Sequence, residues 1–337
     1  MKHSARNGSL LFAAAAVACI CAGFLAHANN AVRADRDTAA LRKASAPAVS
    51  PAPLCVPDSA LFVPVTQWVN RKFVVLAKQK LFRQFGYEFY LSKSLAAATA
   101  PVDTSIETSK RHLRSDKLAG ATLAVTSVEP AGAEFLVTFT LDQNGRQVFA
   151  KTRKGAIEGI ACASDLDSAT KKWVRKTVYS RRGFIGTYDS ATGAYGKITV
   201  KIQDKLKVTG VSWGLTPLPP RPLWLLVETA GKEKGFIPAG ISWTNTMENE
   251  ILPQQPWAEE LFESNPADLY KWDSLTWSAV NRHTIVSGMT KEQVTVSWGR
   301  PHSVVTDTSR RSCPQQWLYG SQYVCFNHDS VVSVGAR

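Results

Sequence analysis

Two successive segments of the chain carry four short sequences in the same order, and this duplication restricts the fold more than any other feature. A duplicated segment is one supersecondary unit used twice, so both copies are expected to bury their apolar residues in the same way. Chance similarity between two β-rich segments is the alternative interpretation. The matching pairs are Trp68–Lys72 with Trp173–Lys176, Leu123–Val128 with Leu206–Val211, Phe135–Leu141 with Leu223–Glu228, and Lys154–Ile157 with Lys234–Ile237.

Each copy consists of short β-type runs separated by turn signals. In the first copy, Glu129–Gly132 and Asp142–Gly145 are turn sequences between runs rich in β-branched and aromatic residues. The polar stretch 92–117 predicts a long loop or a hairpin insertion. A unit of four or five short strands buries its apolar face by curling into a small barrel or by pairing with a neighbour. The sequence therefore predicts a mainly β fold.

The strand pattern resembles that of bacterial Src-homology-3-like domains, in which a strand and a long loop precede a central meander. The last hairpin of such domains carries a sequence of the type found at Lys234–Ile237. The resemblance covers residues 66–245 and implies two small β-barrels, domain 1 over 54–167 and domain 2 over 168–250. In bacterial envelopes, domains of this kind generally bind cell-wall peptide or protein partners.

A second motif lies near the C-terminus, where Gly288–Pro301 reads GMTKEQVTVSWGRP. Thr290 is a suitable helix N-cap, and Gln293 is placed three residues later to complete a capping box. Gly299 and Pro301 predict the end of the helix, because neither residue favours its continuation. The motif therefore predicts one short, well-capped helix.

The tail beyond this helix predicts a hairpin, with Gln315–Tyr319 and Gln322–Phe326 on either side of Gly320-Ser321. Helix motif and tail together resemble the SmpA/OmlA (BamE-like) family of small envelope domains, in which three strands follow the helix. The resemblance covers residues 265–334. It implies a C-terminal α+β domain over 266–337, a helix plus a three-stranded sheet, joined to the β domains by a linker at 251–265.

The N-terminus has the layout of a secretory signal peptide. Lys2 and Arg6 precede the apolar stretch Leu10–Leu25, and Ala26-His27-Ala28 has the small-x-small pattern of a cleavage site. An uncleaved anchor helix and a lipoprotein modified at Cys19 are the alternatives. The pattern favours cleavage and a product without lipid.

Cleavage after residue 28 would leave an Ala- and Pro-rich leader at 29–53, which predicts a disordered segment. It would lower the net charge from +13 to +11, because two basic residues and no acidic residue are removed. We therefore expect an exported, basic protein in the periplasm or cell envelope of a Gram-negative bacterium. The charge fits peptidoglycan and also peripheral contact with an anionic membrane surface. Nucleic acid is not an expected partner of an exported chain.

Four cysteines remain after removal of residues 1–28, and their wide spacing favours disulfides over a metal site. Four cysteines allow three connectivities. Of these we expect Cys55–Cys162, which would join the two ends of domain 1, and Cys313–Cys325, which flank the predicted hairpin. In that hairpin the residue that faces Cys325 is Gln316, so the second pair requires a bulge or a longer loop.

Catalytic signatures are scarce. Gly210–Gly214 reads G-x-S-x-G, the sequence of a hydrolase nucleophile elbow, but an elbow requires a helix after the serine. Four prolines follow within ten residues of Ser212, so the sequence favours a strand that enters a Pro-rich loop. The alternative to a non-catalytic protein is an envelope hydrolase that uses Ser212 or Cys162. The sequence has no H-E-x-x-H motif and no C-x-x-C pair, so we expect no metal and no cofactor.

The chain has ten tryptophans, and most are expected to fill the small β cores. Trp213, Trp224 and Trp243 flank the Pro-rich loop of the second copy and are the candidates for a groove that binds peptide or sugar. The sequence thus predicts a binding or scaffold protein of the envelope without catalysis, with an envelope protein or peptidoglycan as partner. It does not specify the oligomeric state.

Overall fold

The structure, a computed structural model of the chain, describes residues 63–97, 113, 115–153, 155, 157–216, 221–242, 261–307, 309 and 312–336. One compact unit extends to Lys271, and a second includes Trp272–Arg337. The predicted signal peptide and leader lie outside the described residues, as do Cys55, Trp243 and most of the predicted linker. No helix in the described part is long and apolar enough to cross a bilayer.

The first module is a five-stranded antiparallel sheet in the order β4-β3-β2-β1-β5. Its core includes Trp68, Phe73, Phe89 and Phe139, all fully buried. The short helices α1 and α2 and two 3-10 turns, Val65–Gln67 and Lys80–Phe85, lie outside the sheet. The bounds are β1 (Lys72–Val75), α1 (Lys93–Ala97), α2 (Ser115–Leu118), β2 (Thr122–Ala131), β3 (Glu134–Leu141), β4 (Gln147–Thr152) and β5 (Ile160–Cys162).

The second module is a seven-stranded sheet in the order β12-β6-β9-β10-β11-β7-β8. Helix α3 packs Ala169 and Trp173 into its core. The short helix α4 follows the last strand. The bounds are α3 (Asp165–Trp173), β6 (Thr177–Ser180), β7 (Phe184–Asp189), β8 (Ala194–Thr199), β9 (Leu206–Trp213), β10 (Leu223–Glu228), β11 (Lys234–Ala239), β12 (Leu261–Phe262) and α4 (Pro266–Leu269).

The hydrogen-bond register confirms the internal repeat. Phe73 pairs with Leu123 in the first module, and Val178 pairs with Leu206 in the second. Phe73 and Val178 each lie five residues after the matched tryptophan, and the two leucines begin the second matched sequence. The strand order β5-β1-β2-β3-β4 recurs as β12-β6-β9-β10-β11. The chain therefore contains one five-strand arrangement twice.

The turn before the first strand is also duplicated. Asn70 and Arg175 have positive φ angles of 68° and 71°. The Asn70 amide donates to the Val125 carbonyl at 2.9 Å, and the Arg175 amide donates to the Val208 carbonyl at 2.9 Å. Both turns therefore follow a core tryptophan and are hydrogen-bonded to equivalent strands, β2 in the first module and β9 in the second.

The fourth sequence match is misaligned. Phe139 pairs with Val148 in the first module, and Val227 pairs with Gly235 in the second, so β4 corresponds to β11. Lys154–Ile157 follows β4 and does not correspond to Lys234–Ile237. Gly155 lies in a bend after β4, whereas Gly235 lies within β11, and only the strand pairing reveals this difference.

The expectation of two closed small barrels is wrong: the described strands form open antiparallel sheets. In the first module, the segment between β1 and β2 inserts Tyr87 and Phe89 into the core. In the second, α3 supplies Trp173. Side chains from outside the sheets thus complete the buried volume, and closure by pairing of the edge strands is not needed for burial.

Backbone hydrogen bonds join the two modules. The Thr216 amide donates to the Ala77 carbonyl at 2.9 Å, and the Gln79 amide donates to the Thr216 carbonyl at 3.0 Å. Lys78 lies between these bonds and is buried, with its Nζ 2.9 Å from Glu158 Oε1. A buried ammonium group requires such a partner, so we expect the two modules to unfold together.

The C-terminal unit has two helices followed by a four-stranded antiparallel sheet in the order β13-β14-β15-β16, where three strands were expected. The capping box of the second helix is confirmed: Gln293 N donates to Thr290 Oγ1, and Thr290 N donates to Gln293 Oε1. The bounds are α5 (Ser274–Asn281), α6 (Lys291–Trp298), β13 (Ser303–Thr306), β14 (Gln315–Tyr319), β15 (Gln322–Asn327) and β16 (Ser330–Ala336).

The predicted disulfide between Cys313 and Cys325 is confirmed, with the two Cα atoms 5.4 Å apart. Gln316 is the register partner of Cys325, as expected from the position of the turn. Cys313 lies between β13 and β14, outside the paired strands. Its distance from Cys325 is therefore not fixed by the β14–β15 register. The expected Cys55–Cys162 pair stays a prediction, because Cys55 lies outside the described residues.

Loss of this disulfide is expected to destabilise the C-terminal unit. A cross-link that closes a loop of this length contributes about 3 kcal/mol in the chain-entropy model. The double variant Cys313→Ser/Cys325→Ser should therefore melt at a lower temperature than the parent protein. Calorimetry with and without a reductant is the measurement, and a variant that melts with the oxidised parent would contradict the prediction.

Candidate binding face

Four aromatic rings from four different strands of the second module lie against one another, and we call them the aromatic face. Trp224 of β10 is stacked on Phe236 of β11, with ring centroids 4.1 Å apart. Tyr188 of β7 lies 4.9 Å from Tyr195 of β8 and 5.8 Å from Trp224. Tyr195 meets the stacked pair nearly edge-on, at 6.3 and 6.4 Å. Such geometry is favourable for aromatic pairs.

Side-chain alternation places these rings on the surface of the sheet that faces away from the core. Leu223 and Leu225 belong to the core, so Trp224 between them projects to the other side. A glycine allows the rings to lie close to the sheet. Gly186 pairs with Phe236, and a Cβ atom at Gly186 would come within 2.7 Å of the Phe236 ring.

The aromatic face is layered. Trp224 and Phe236 are buried beneath Tyr195, which is 41% exposed. Two buried polar atoms of the face, Trp224 Nε1 and Tyr188 Oη, lack a hydrogen-bond partner among the described residues. A buried donor without a partner costs about 1–3 kcal/mol, so an acceptor from outside the described residues would stabilise this face.

Positive charge lies beside the aromatic face. Lys197, in the strand that carries Tyr195, has its Nζ 4.4 Å from the Phe184 ring centroid, and the Arg182 guanidinium lies 5.8 Å from the same ring. Asp189 closes the β7–β8 turn, where hydrogen bonds from Thr192 and from the Ala191 amide hold its pKa below the usual value. The surroundings of the rings therefore carry two cations beside Phe184 and one carboxylate in the β7–β8 turn.

The same surface in the first module is covered. By strand register, Leu136 and Phe149 stand where Trp224 and Phe236 stand in the second module. These two residues form a small cluster with Ala96 of α1, which is buried. In the first module, helix α1 therefore covers the surface that corresponds to the one on which Tyr195 is exposed in the second module.

The aromatic environment predicts a loss of stability at alkaline pH. Burial raises the pKa of Tyr195 above its usual 10.0, and the neighbouring Tyr188 adds to the shift. Because the pKa is higher in the folded than in the unfolded chain, the stabilising contribution is complete below pH 10 and declines above it. Melting temperatures measured from about pH 9 to 11 should fall more steeply for the parent than for Tyr195→Phe; parallel curves would contradict this.

Two of the three predicted groove residues, Trp213 and Trp224, lie on opposite surfaces of the sheet. Trp213 packs against the core of the second module, while Trp224 projects from the opposite side, because Trp213 pairs with Leu223 and Ser212 pairs with Trp224. Trp243 lies outside the described residues. Sequence reasoning missed Tyr188 and Tyr195, although their alternation with Ile185 and Ile198 could have indicated them.

The nucleophiles of the hydrolase alternative lie in strands. Ser212 is in β9, and the Gly214 amide two residues later donates to the Pro222 carbonyl at 2.8 Å, just before β10. Cys162 is in β5, with its Sγ 3.4 Å from Ser164 Oγ. The described residues of this unit include no histidine. Across the described residues, no three His, Cys, Asp or Glu side chains form a metal site.

The aromatic face is therefore the arrangement best suited to hold a ligand in the described residues: flat rings, polar donors and nearby cations, on a fixed sheet. It can stack on a ring or a peptide plane and donate hydrogen bonds to carbonyl oxygens. In comparisons with protein families, with curated proteins and with solved structures, nothing matches this chain.

Proposed function

We propose that this protein is a non-catalytic binding or scaffold protein of a Gram-negative cell envelope. Its second module binds a cell-wall peptide or an extended segment of an envelope protein across the aromatic face. The observation that carries this proposal is a pair of buried donors, Trp224 Nε1 and Tyr188 Oη, that have no partner among the described residues and belong to the same face as the exposed Tyr195. The disulfide of the C-terminal unit fits an oxidising compartment.

We also propose that both β modules are Src-homology-3-like and that the C-terminal unit is BamE-like. The duplicated strand order supports the first likeness, as does the position of the long segment after the first strand. In the first module this segment pairs with β4, through Tyr90 and Phe149. In the second module it pairs with the equivalent strand β11, through Gly186 and Phe236. The capped helix before an antiparallel sheet supports the second likeness.

An extended peptide fits the chemistry of the face. Peptide-binding modules recognise extended, often proline-containing segments on aromatic surfaces, where ring contact and a few hydrogen bonds to carbonyls provide the affinity. Tyr195 offers an exposed ring, and Trp224 and Tyr188 carry hydrogen-bond donors in the same face. Lys197 and Arg182 would favour ligands with carboxylates, which cell-wall peptides carry.

Binding to purified muropeptides, measured by calorimetry, tests the proposal. Truncation of an interfacial aromatic anchor commonly costs tenfold or more in affinity, so Tyr195→Ala should weaken binding by at least about tenfold. Leu91→Ala is the matched control, because Leu91 in the first module is also 41% exposed. Equal affinities of Tyr195→Ala and the parent, or cleavage of the muropeptides, would refute the proposal.

A further inference from the structure

The 3-10 turn Lys80–Phe85, which we call the apolar turn, exposes large hydrophobic side chains. Leu81 is 67% exposed and Phe85 is 56% exposed, the two highest values among large hydrophobic residues of the described part. The Phe82 ring lies 6.3 Å from that of Phe85. Exposed apolar groups collected in one place mark a contact with another molecule or with a membrane.

Hydrogen bonds hold the apolar turn in this exposed position. The Gln79 amide donates to Thr216 of the second module at 3.0 Å, and the Phe82 amide donates to the Gln79 carbonyl at 2.9 Å. Arg83 Nε donates to the Lys78 carbonyl at 3.2 Å. Because both the start and the middle of the turn are fixed, Leu81 and Phe85 cannot retract into a core without loss of these bonds.

The apolar turn is also cationic. Lys80 Nζ donates to the Ala191 carbonyl at 3.0 Å, and its charge helps to lower the pKa of Asp189 in the same turn as Ala191. Arg83 Nε donates to the Lys78 carbonyl at 3.2 Å. The described stretch 63–97 contains six basic residues and one acidic residue, Glu88. Apolar side chains beside such a positive field are complementary to a surface that is both apolar and anionic.

We propose that the apolar turn docks on the surface of an anionic lipid bilayer. Leu81, Phe82 and Phe85 enter the boundary between headgroups and acyl chains, while Lys80 and Arg83 contact lipid phosphates. A second copy of the chain is a poorer occupant, because symmetric pairing of two such turns would bring like charges together. The proposal does not depend on the aromatic face, which lies on other strands.

Vesicle flotation of the purified protein tests this proposal. The parent should float with vesicles that contain phosphatidylglycerol and much less with vesicles of phosphatidylcholine alone. Leu81→Ser/Phe85→Ser should lower the partition coefficient at least about tenfold, because burial of these side chains supplies the apolar part of the binding. Lys80→Gln/Arg83→Gln should lower it several-fold per charge on anionic vesicles only, and salt should have the same effect.

Leu275→Ser is the matched control, because Leu275 of the C-terminal unit is 52% exposed. All variants retain residues 1–62, so a difference from the parent reports the turn and not the N-terminal apolar stretch. Circular dichroism verifies that each variant is folded. Equal flotation of the parent and Leu81→Ser/Phe85→Ser would overturn the proposal, as would a change of oligomeric state in place of a change in vesicle binding.

Discussion

Replacement of Trp68 or Trp173 by alanine is expected to lower the free energy of unfolding by about 3–5 kcal/mol in each case. Both side chains are fully buried and are the two largest of the fully buried set. Each substitution would leave a cavity in the hydrophobic core of its module. Because the two residues hold equivalent positions in the repeat, we expect effects of similar size.

Urea denaturation followed by circular dichroism measures these effects. Trp68→Phe and Trp173→Phe are the controls, since a smaller ring leaves a smaller cavity and should cost less than alanine. The indole of Trp68 also donates to the Val63 carbonyl at 2.9 Å, so part of the loss at this position is a hydrogen bond. A cost below about 1 kcal/mol at either position would contradict the equivalence of the two modules.

Gly235→Ala is expected to destabilise the second module by about 2–3 kcal/mol, the upper part of the range for overpacking. A Cβ atom at Gly235 would lie 2.7 Å from the Gly186 carbonyl oxygen and 2.7 Å from Ile185 Cδ1. The first neighbour is backbone and cannot rotate away. The strand β7 must therefore move off β11, and this movement would also disturb Phe236 of the aromatic face.

Gly210→Ala is the matched control for this substitution. Gly210 lies in β9 of the same sheet, and a Cβ atom there would meet only Leu226 Cδ1, at 3.6 Å, an ordinary van der Waals distance. Thermal unfolding of both variants separates steric conflict from the general effect of replacing glycine in a strand. A Gly235→Ala variant as stable as Gly210→Ala would show that β7 and β11 are not packed as described.

Features encoded within a few consecutive residues could be predicted from the sequence. The capping box of Thr290 and Gln293 involves two residues of one helical turn, so its geometry follows from their spacing. The duplicated turns could be recognised for the same reason, because a tryptophan and the basic residues after it define each of them. The pairing of Cys313 with Cys325 could also be predicted, because both residues belong to one local hairpin region. The sequence indicated that a bulge or a longer loop was needed, but not which of the two.

Features that depend on strand register could not be predicted. The aromatic face combines Tyr188, Tyr195, Trp224 and Phe236 from four strands. Only the pairings of β10 with β11, of β11 with β7 and of β7 with β8 bring them together. Trp213 and Trp224 were grouped by their closeness to one loop, yet their positions in the β9–β10 register place them on opposite surfaces. A shift of one residue reverses every such assignment.

The closed barrels failed as a prediction for a related reason. Strand count and length indicate how much apolar surface a unit must bury, but not which groups cover it. In the first module Tyr87 and Phe89 lie outside the regular strands, between β1 and β2, and in the second Trp173 comes from a helix. Their contribution to the core is decided by tertiary contacts, which the local sequence pattern does not contain.

The backbone hydrogen bonds of Ala77 and Gln79 with Thr216 affect the order in which the chain can fold during synthesis, when the N-terminal residues appear first. The first module has all its strands once Cys162 has emerged, because β1 pairs with β5. The backbone groups of Ala77 and Gln79 then wait for Thr216, far downstream. During this interval the early module presents an unsatisfied edge beside Leu81 and Phe85, a combination that invites pairing with other chains. We therefore expect this edge to be protected either by rapid synthesis of the segment that contains Thr216 or by a chaperone.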